Sequence, residues 1–248
     1  MNGVLIVTGG SRGIGAATAR LAAGHGWDVC VGYRAEGAAA AEVVHSCEAH
    51  GVKALAVQTD VSIEADIVRL FEAADAELGP VRCLVNNAGI VDLQSRVEDM
   101  SAERIQRMLA VNVLGSFLCA REAVRRMSTA RGGEGGAIVN VSSRAAVLGA
   151  PGEYVDYAAS KAAVDALTIG LAREVAANGI RVNGVRAGLI DTTIHADGGE
   201  PGRVSRLAGT VPMQRGGQPE EVAEAILWLL SPAASYVTGS IVDVAGGR

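Results

Sequence analysis

The 248-residue sequence predicts an α/β fold: one domain, residues 1–248, built on a single doubly wound, parallel, seven-stranded sheet with helices on both faces. Two observations lead to this prediction. Short runs rich in Val, Leu and Ile alternate along the chain with longer, alanine-rich stretches of helical character. The apolar runs lack a polar face, which is typical of parallel strands that are covered on both sides.

The predicted elements follow in order along the chain. The strands are Val4–Val7, Val29–Tyr33, Ala54–Gln58, Cys83–Asn86, Ala137–Val141, Arg181–Val185 and Ile241–Val244. The main helices are Ile14–His25, Gly37–His50, Glu64–Leu78, Ala102–Met127, Val155–Ala177 and Pro219–Leu230. Ser62 and Ser101 are predicted to cap helices, and Pro219 to open one. Residues 188–217, rich in Gly, Pro, His and Asp, are predicted to form a lid over a site.

Composition excludes several classes of protein. The net charge is −5 and no basic stripe is present, so nucleic acid is not an expected partner. No apolar run approaches the roughly 20 residues that cross a bilayer, and no signal peptide is recognisable, so we expect a cytoplasmic protein without membrane contact. The cysteines are scattered, as free buried thiols are. His45, Cys47 and His50 lie close together but lack further ligands, and no metal site is predicted.

A glycine-rich stretch joins the first strand to the first helix: Thr8-Gly9-Gly10-Ser11-Arg12-Gly13-Ile14-Gly15. Glycines at positions 9, 13 and 15 let the backbone turn sharply and approach a pyrophosphate. The N-terminal N–H groups of the following helix point at that anion. The stretch therefore predicts a dinucleotide site.

The second strand distinguishes NADP(H) from NAD(H). An NAD site places a carboxylate at the end of this strand, where it bonds the ribose hydroxyls. This chain has Tyr33 there, followed by Arg34. Arg34 can pair with a 2′-phosphate, and Arg12 can reach it from the glycine-rich turn. We therefore predict NADP(H), with Glu36 nearby as the one feature against it.

Tyr157 and Lys161 are four residues apart on a predicted helix, so both side chains share one face. An ammonium near a phenol stabilises the phenolate and lowers its pKa, which suits the phenol to acid–base work. Lys53 and Lys161 are the only lysines among 22 basic residues. The preceding strand ends in Ser142 and Ser143, at the sheet edge where ligands bind. Asn112 interrupts an otherwise apolar helical run, where a buried amide needs partners.

These motifs resemble the short-chain dehydrogenase/reductase family, near its 3-oxoacyl-carrier reductase and glucose dehydrogenase branch. The pattern Thr-Gly-x-x-x-Gly-x-Gly, the stretch Asn86-Asn87-Ala88-Gly89 and the Tyr157–Lys161 pair occur in the expected order. The resemblance implies a Rossmann fold. It also implies adenine contacts from Asp60 and Val61, and ribose contacts from Asn87, Ala88 and Gly89. Gly188, Ile190 and Thr192 are implied near the nicotinamide.

The same resemblance assigns catalytic roles. It implies that Ser143, rather than Ser142, polarises the substrate oxygen, and that Asn112 bends its helix and holds a water that relays protons to Lys161. It also implies a homotetramer. Three features depart from the family pattern: Ala187 replaces a proline, Ala245 replaces an aspartate, and one extra residue lies between Ser143 and Tyr157.

The sequence thus predicts an NADP(H)-dependent oxidoreductase that moves a hydride between nicotinamide and a secondary alcohol or ketone. Arg144, Glu153, Tyr154 and residues 189–212, including His195, are predicted to line the substrate pocket, and the polar groups there suggest a small polar or sugar-like substrate. Alternatives within the enzymes are a glucose-type dehydrogenase and a 3-oxoacyl-carrier reductase. An alternative of another class is a non-catalytic dinucleotide-binding regulator.

Overall fold

A computed structural model describes residues 3–248, so residues 1 and 2 of the predicted domain lie outside the described range. The seven strands form one parallel sheet in the order β3-β2-β1-β4-β5-β6-β7. They are β1 Val4–Thr8, β2 Asp28–Tyr33, β3 Ala54–Gln58, β4 Val81–Asn86, β5 Gly136–Ser143, β6 Ile180–Ala187 and β7 Ile241–Val244. All five residues of β1 are buried, as expected for a central strand covered on both faces. The predicted fold class is confirmed.

Ten α-helices lie among the described residues: α1 Gly13–Gly24, α2 Gly37–Glu48, α3 Glu64–Glu77, α4 Ala102–Leu109, α5 Gly115–Met127, α6 Ala145–Leu148, α7 Val155–Val175, α8 Ile194–Asp197, α9 Arg203–Leu207 and α10 Pro219–Leu230. One apolar core packs α1, α2 and α10 against the sheet, and a second packs α3, α5 and α7 against its other face. Both cores are built mainly from aliphatic residues. No helix within residues 3–248 is both long and apolar enough to cross a bilayer.

The predicted helix over residues 102–127 is broken into α4 and α5 by a π-helical turn, Ala110–Leu114. Asn112 lies inside this turn and is fully buried. Its amide bonds the main chain of Ile90 on the neighbouring loop, with Ile90 N donating to Oδ1 at 2.8 Å and Nδ2 donating to Ile90 O at 3.0 Å. The π-helical turn therefore occurs where Asn112 contacts a distant loop. The helical pattern of the sequence, which is continuous through this region, does not predict that contact.

Two of the three predicted helix starts, at Ser101 and Pro219, are present in the structure. Ser101 caps α4 by accepting from Arg104 N at 3.2 Å, and Pro219 is the first residue of α10. The predicted cap at Ser62 is wrong: its hydroxyl donates to the Asp60 carboxylate at 2.6 Å, and α3 begins two residues later. A carboxylate is the stronger acceptor and competes for the hydroxyl.

The sheet reverses its winding between β1 and β4, which opens a crevice at their carboxyl ends. The turns after six of the strands, β1 to β6, meet at this edge. Residues 188–217 lie over the edge and contain α8, α9 and a 3₁₀ turn at 208–210, so this segment holds more helix than its composition indicates. The fold thus brings distant turns together around one crevice.

Candidate active site

One large pocket occupies the crevice, and all the predicted site residues except Gly15 and Asn112 line it. It runs from the glycine-rich turn, past the ends of β4 and β5, to the segment 188–217. Gly15 and Asn112 lie behind the pocket wall and support it. No group of three or more His, Cys, Asp or Glu side chains suited to a metal occurs within residues 3–248.

The glycine-rich turn has little room for side chains. Gly9 and Gly13 have φ of +62° and +52°, in the left-handed region that favours glycine. A Cβ on Gly15 would lie 2.4 Å from the carbonyl oxygen of Gly9. The Asn87 amide nitrogen donates to the carbonyl oxygens of Thr8 and Gly9, both at 2.9 Å, and so fixes the turn against β4. Arg12 precedes α1 with no side-chain cap, which leaves the first N–H groups directed at the pocket.

The two arginines predicted to bind a phosphate differ in their ion-pair partners. Arg34 is exposed and makes no ion pair within the described chain, although its carbonyl accepts from Gln58. Arg12 instead extends towards the segment 188–217 and pairs with Asp197 of α8, with Nη2 and Oδ2 2.5 Å apart. The structure therefore places both arginines in the pocket but gives Arg12 a partner that sequence reasoning missed.

The side chains of Lys161 and Asn112 both pack against Gly89. A Cβ on Gly89 would lie 3.3 Å from Lys161 Nζ and 3.4 Å from Asn112 Oδ1. Lys161 Nζ donates to the carbonyl oxygen of Val141 at 2.8 Å. Asn112 also donates to the Ser160 hydroxyl at 3.0 Å, beside the lysine on α7. The amide thereby ties together the turn after β4 and the helix that carries Lys161.

Tyr157 and Ser143 both line the pocket, and their side chains lie within hydrogen-bonding reach of each other. Burial raises the pKa of the Tyr157 phenol, and hydrogen bonding to Ser143 opposes this rise. Burial lowers the pKa of Lys161 to about 8, against the opposing charge of Asp165. The expected lowering of the phenol pKa by Lys161 is not seen: burial raises this pKa, Ser143 is the group that opposes the rise, and Lys161 Nζ lies 5.8 Å from the ring centroid.

The two serines at the end of β5 are distinguished by their surroundings. Ser142 is 2% exposed, and its hydroxyl donates to the Lys161 carbonyl oxygen at 3.2 Å. Ser143 is less buried; its oxygen accepts from Ala145 N at 3.1 Å and contacts Tyr157. A hydroxyl that accepts one bond can still donate to a substrate oxygen.

The predicted substrate-binding residues are largely occupied by internal partners. Arg144 pairs with Asp243, and Glu153 with Arg203, both at 2.5 Å. The His195 ring nitrogen bonds the Ile190 carbonyl oxygen at 2.8 Å, and burial lowers the His195 pKa. The polar groups of these residues therefore stabilise the fold in addition to lining the pocket.

Two residues of the segment 188–217 contribute to the pocket but were not singled out from the sequence. Arg203 of α9 lines the pocket, stacks over the Tyr154 ring at 5.2 Å and also pairs with Glu200. Asp197 approaches the pocket through Arg12. Arg203 also has a partner three residues away in Glu200, but the contacts that bring Arg203 and Asp197 to the pocket reach partners about 50 and 185 residues away, which no local pattern marks.

Comparison with known proteins identifies the same family as the sequence motifs. The family model described as enoyl-(acyl carrier protein) reductase matches residues 9–248. The uncharacterized oxidoreductase YgfF of Escherichia coli is 59% identical over 245 residues, 99% of either chain. The cis-4-hydroxycyclohexanecarboxylate dehydrogenase of Sinomonas cyclohexanicum is 43% identical over 98% of this chain and 95% of its own. Glucose 1-dehydrogenase 2 of Bacillus subtilis is 36% identical over 98% and 93%.

Solved structures agree with the fold and include both cofactors. A short-chain dehydrogenase from Burkholderia cenocepacia in complex with NADP has a TM-score of 0.91 at 32% identity, over 100% of this chain and 98% of its own. The 3-ketoacyl-(acyl-carrier-protein) reductase of Brucella melitensis, complexed with NADH, has the same TM-score at 33% identity, over 99% and 98%.

The resemblance predicted from the motifs is thus confirmed along nearly the whole chain, and its neighbours include both branches named from the sequence. The chain belongs to the short-chain dehydrogenase/reductase family and is an oxidoreductase of that type.

Proposed function

We propose that residues 1–248 act as one domain, an NADP(H)-dependent oxidoreductase that transfers a hydride between nicotinamide and a secondary alcohol or ketone. One observation carries the proposal: Ser143, Tyr157 and Lys161 lie in the same pocket as the glycine-rich turn. A non-catalytic regulator needs only the glycine-rich turn and has no use for these three groups in one place.

The residues fit a dinucleotide. Gly9 and Gly13 leave the backbone open, and uncapped N–H groups of α1 suit a pyrophosphate. Asp60 and Val61 would border the adenine, and Asn87, Ala88 and Gly89 the ribose. Tyr157 and Lys161 would reach the second ribose, and Gly188, Ile190 and Thr192 the carboxamide end. When bound, nicotinamide supplies or accepts the hydride.

The protein's own groups would handle the substrate oxygen and the proton. We assign the Ser143 hydroxyl to hydrogen-bond the carbonyl oxygen and polarise it. In ketone reduction Tyr157 donates its phenolic proton to that oxygen, and in alcohol oxidation it takes the proton back. Lys161, charged below a pKa of about 8, stabilises the phenolate. Asn112 positions Lys161 through Ser160 and the turn at Gly89.

We propose NADP(H) rather than NAD(H). Arg34 is exposed at the end of β2 and free to pair with a 2′-phosphate, while no carboxylate stands at Tyr33. Solved relatives hold NADP in one case and NADH in another, so family membership leaves this choice to the local residues. Glu36, whose carboxylate lies 3.6 Å from Arg12 Nε, is a nearby negative charge that disfavours the phosphate.

For the substrate we propose a secondary alcohol or ketone with an apolar body. The lining of the pocket includes apolar side chains such as Val91, Leu148 and Ile194. Arg144 and Glu153, which suggested a sugar-like substrate, are engaged by Asp243 and Arg203. A relative named cis-4-hydroxycyclohexanecarboxylate dehydrogenase, whose substrate name combines an apolar ring with a carboxylate, is consistent with a secondary alcohol on a ring. Relatives named for glucose and for acyl-carrier substrates are also matched, so the proposal of an apolar body rests on the lining of the pocket.

We also propose a cytoplasmic homotetramer. The α4–π–α5 span exposes Leu109, Leu114 and Phe117, which are 43 to 49% exposed, and α7 exposes Ile169. Large apolar side chains exposed on these helices suit a partner subunit. The four free thiols are buried, as suits a reducing compartment. Light scattering after size-exclusion chromatography tests the tetramer.

Two measurements test the activity. NADPH and NADH are titrated separately by calorimetry, and tighter binding of NADPH is expected. NADPH oxidation is then followed with cyclohexanone, glucono-lactone and an acetoacetyl thioester at equal concentrations. Turnover of cyclohexanone above the other two supports the proposal. Binding of neither dinucleotide overturns it, and preference for the thioester replaces the substrate class.

A further inference from the structure

The guanidinium of Arg12 is surrounded by acceptors of this same chain. Nη2 lies 2.5 Å from Asp197 Oδ2 and Nη1 lies 3.4 Å from Oδ1, so the carboxylate meets both terminal nitrogens. Nη1 also donates to the Thr193 hydroxyl at 3.0 Å. Nε lies 3.6 Å from Glu36. Every nitrogen of the side chain thus faces an acceptor already in place.

A phosphate recognised by Arg12 would need the same two nitrogens. Arginine binds carboxylates and phosphates through one paired arrangement of N–H groups, so the two anions exclude each other. Arg34 lines the same pocket and has no ion-pair partner within residues 3–248. The pocket therefore has one arginine ready for an anion and a second held by α8.

We propose that Asp197 is a specificity-determining residue for the cofactor: it competes with the ribose 2′-phosphate of NADP(H) for Arg12 and thereby weakens NADP(H) without affecting NAD(H). The proposal rests on the function proposed above. Both partners are about 42% exposed, and an ion pair at that exposure changes an equilibrium by roughly two- to fivefold. NAD(H), which carries no 2′-phosphate, leaves the pair of Arg12 and Asp197 undisturbed.

The test uses two nucleotides that differ only in the 2′-phosphate, 2′,5′-ADP and 5′-AMP, titrated calorimetrically into the full chain. Asp197→Asn is expected to tighten 2′,5′-ADP by about two- to fivefold and to leave 5′-AMP unchanged. Asp191→Asn is the matched control, because it removes the same charge from the same segment and Asp191 has no ion pair within the described residues. Both positions are exposed, so both variants are expected to fold; melting temperatures check this.

A double-mutant cycle with Arg12→Gln decides whether competition is the cause. If Asp197 acts by occupying Arg12, Asp197→Asn gives no tightening in the Arg12→Gln background. The same tightening in both backgrounds, or equal tightening by Asp191→Asn, would show simple charge repulsion and overturn the proposal. No tightening in either background overturns it as well.

The failure of this inference is distinct from failure of the proposed function. A wild-type chain that binds 2′,5′-ADP no better than 5′-AMP, but gains that preference through Asp197→Asn, upholds the competition and refutes the NADP(H) preference. A chain that prefers 2′,5′-ADP and does not respond to Asp197→Asn upholds the preference and refutes the competition. Binding of neither nucleotide refutes both.

Discussion

Lys161 Nζ donates to the carbonyl oxygen of Val141 at 2.8 Å, which joins α7 to the end of β5. The bond fixes the ammonium beside the serines of β5 and below the ring of Tyr157. It places the lysine on the side of the phenol that faces the protein interior, so solvent does not screen its charge fully.

Removing the phenolic oxygen of Tyr157 tests the proton-transfer role. For Tyr157→Phe we expect kcat for ketone reduction to fall by about 10²- to 10⁴-fold, because no other phenol faces Ser143. Tyr236→Phe removes the same hydroxyl from a fully exposed residue and should leave kcat unchanged. Steady-state kinetics with NADPH and cyclohexanone measures both. A Tyr157→Phe variant with near-normal kcat would remove the tyrosine from the mechanism.

Asp165 should control the alkaline limb of the pH–rate profile. Burial lowers the Lys161 pKa to about 8, and the negative charge of Asp165 acts to raise it. Asp165→Asn therefore lowers this pKa further, the ammonium is lost at lower pH, and the alkaline fall in kcat/KM moves to lower pH. Glu174→Gln, an exposed change on the same helix, should leave the limb in place. An unmoved limb in Asp165→Asn would contradict the electrostatic role.

Arg34 should distinguish the two dinucleotides. Arg34→Gln is expected to weaken NADPH by about tenfold, since a charge-assisted bond to phosphate is lost, and to leave NADH unchanged. Arg173→Gln, an exposed arginine away from the pocket, is the control. Fluorescence titration of each variant supplies the dissociation constants. Equal loss of both dinucleotides in Arg34→Gln would assign the arginine a structural role.

The ion pair between Arg104 and Asp156 should contribute strongly to stability. Their side chains are 13% and 3% exposed, and Nε lies 2.8 Å from Oδ2. Arg104→Leu leaves a buried carboxylate without its partner and should lower the free energy of unfolding by about 3 kcal/mol. Arg96→Gln breaks an exposed pair with Glu98 and should cost less than about 1 kcal/mol. Urea unfolding compares the two; similar losses would refute the buried-pair argument.

Substituting Gly15 by alanine should abolish dinucleotide binding, whereas substituting Gly170 by alanine should increase stability. Gly15→Ala places a Cβ 2.4 Å from the Gly9 carbonyl oxygen, so the turn must shift, and dinucleotide binding should be lost. Gly170→Ala, within α7, meets nothing within 4 Å and should stabilise the helix by about 1 kcal/mol. Thermal unfolding and NADPH titration measure both changes. Retained binding in Gly15→Ala would show that the turn adapts.

Local patterns in the sequence were sufficient for the sheet, the glycine-rich turn and the pairing of Tyr157 with Lys161. Each of these depends on neighbours within one strand, turn or helical repeat, where period and residue type determine the geometry. The order of the strands was not predicted, because right-handed crossovers fix the hand of each connection but not the place where the winding reverses. The fold class and the position of the pocket were nonetheless predictable from the chain alone.

Only the tertiary structure decided which polar side chains are available in the pocket. Arg12 meets Asp197 across 185 residues, Asn112 opens a π-helical turn towards Ile90, and Arg144 and Glu153 find partners in Asp243 and Arg203. A charged group pairs with whichever opposite charge the fold brings within a few ångströms, and sequence separation carries no information on that distance. The sequence thus determined the strands, the helices and the types of reactive side chain. The packing of distant segments, residues 188–217 among them, decided which of these side chains are free to contact a ligand.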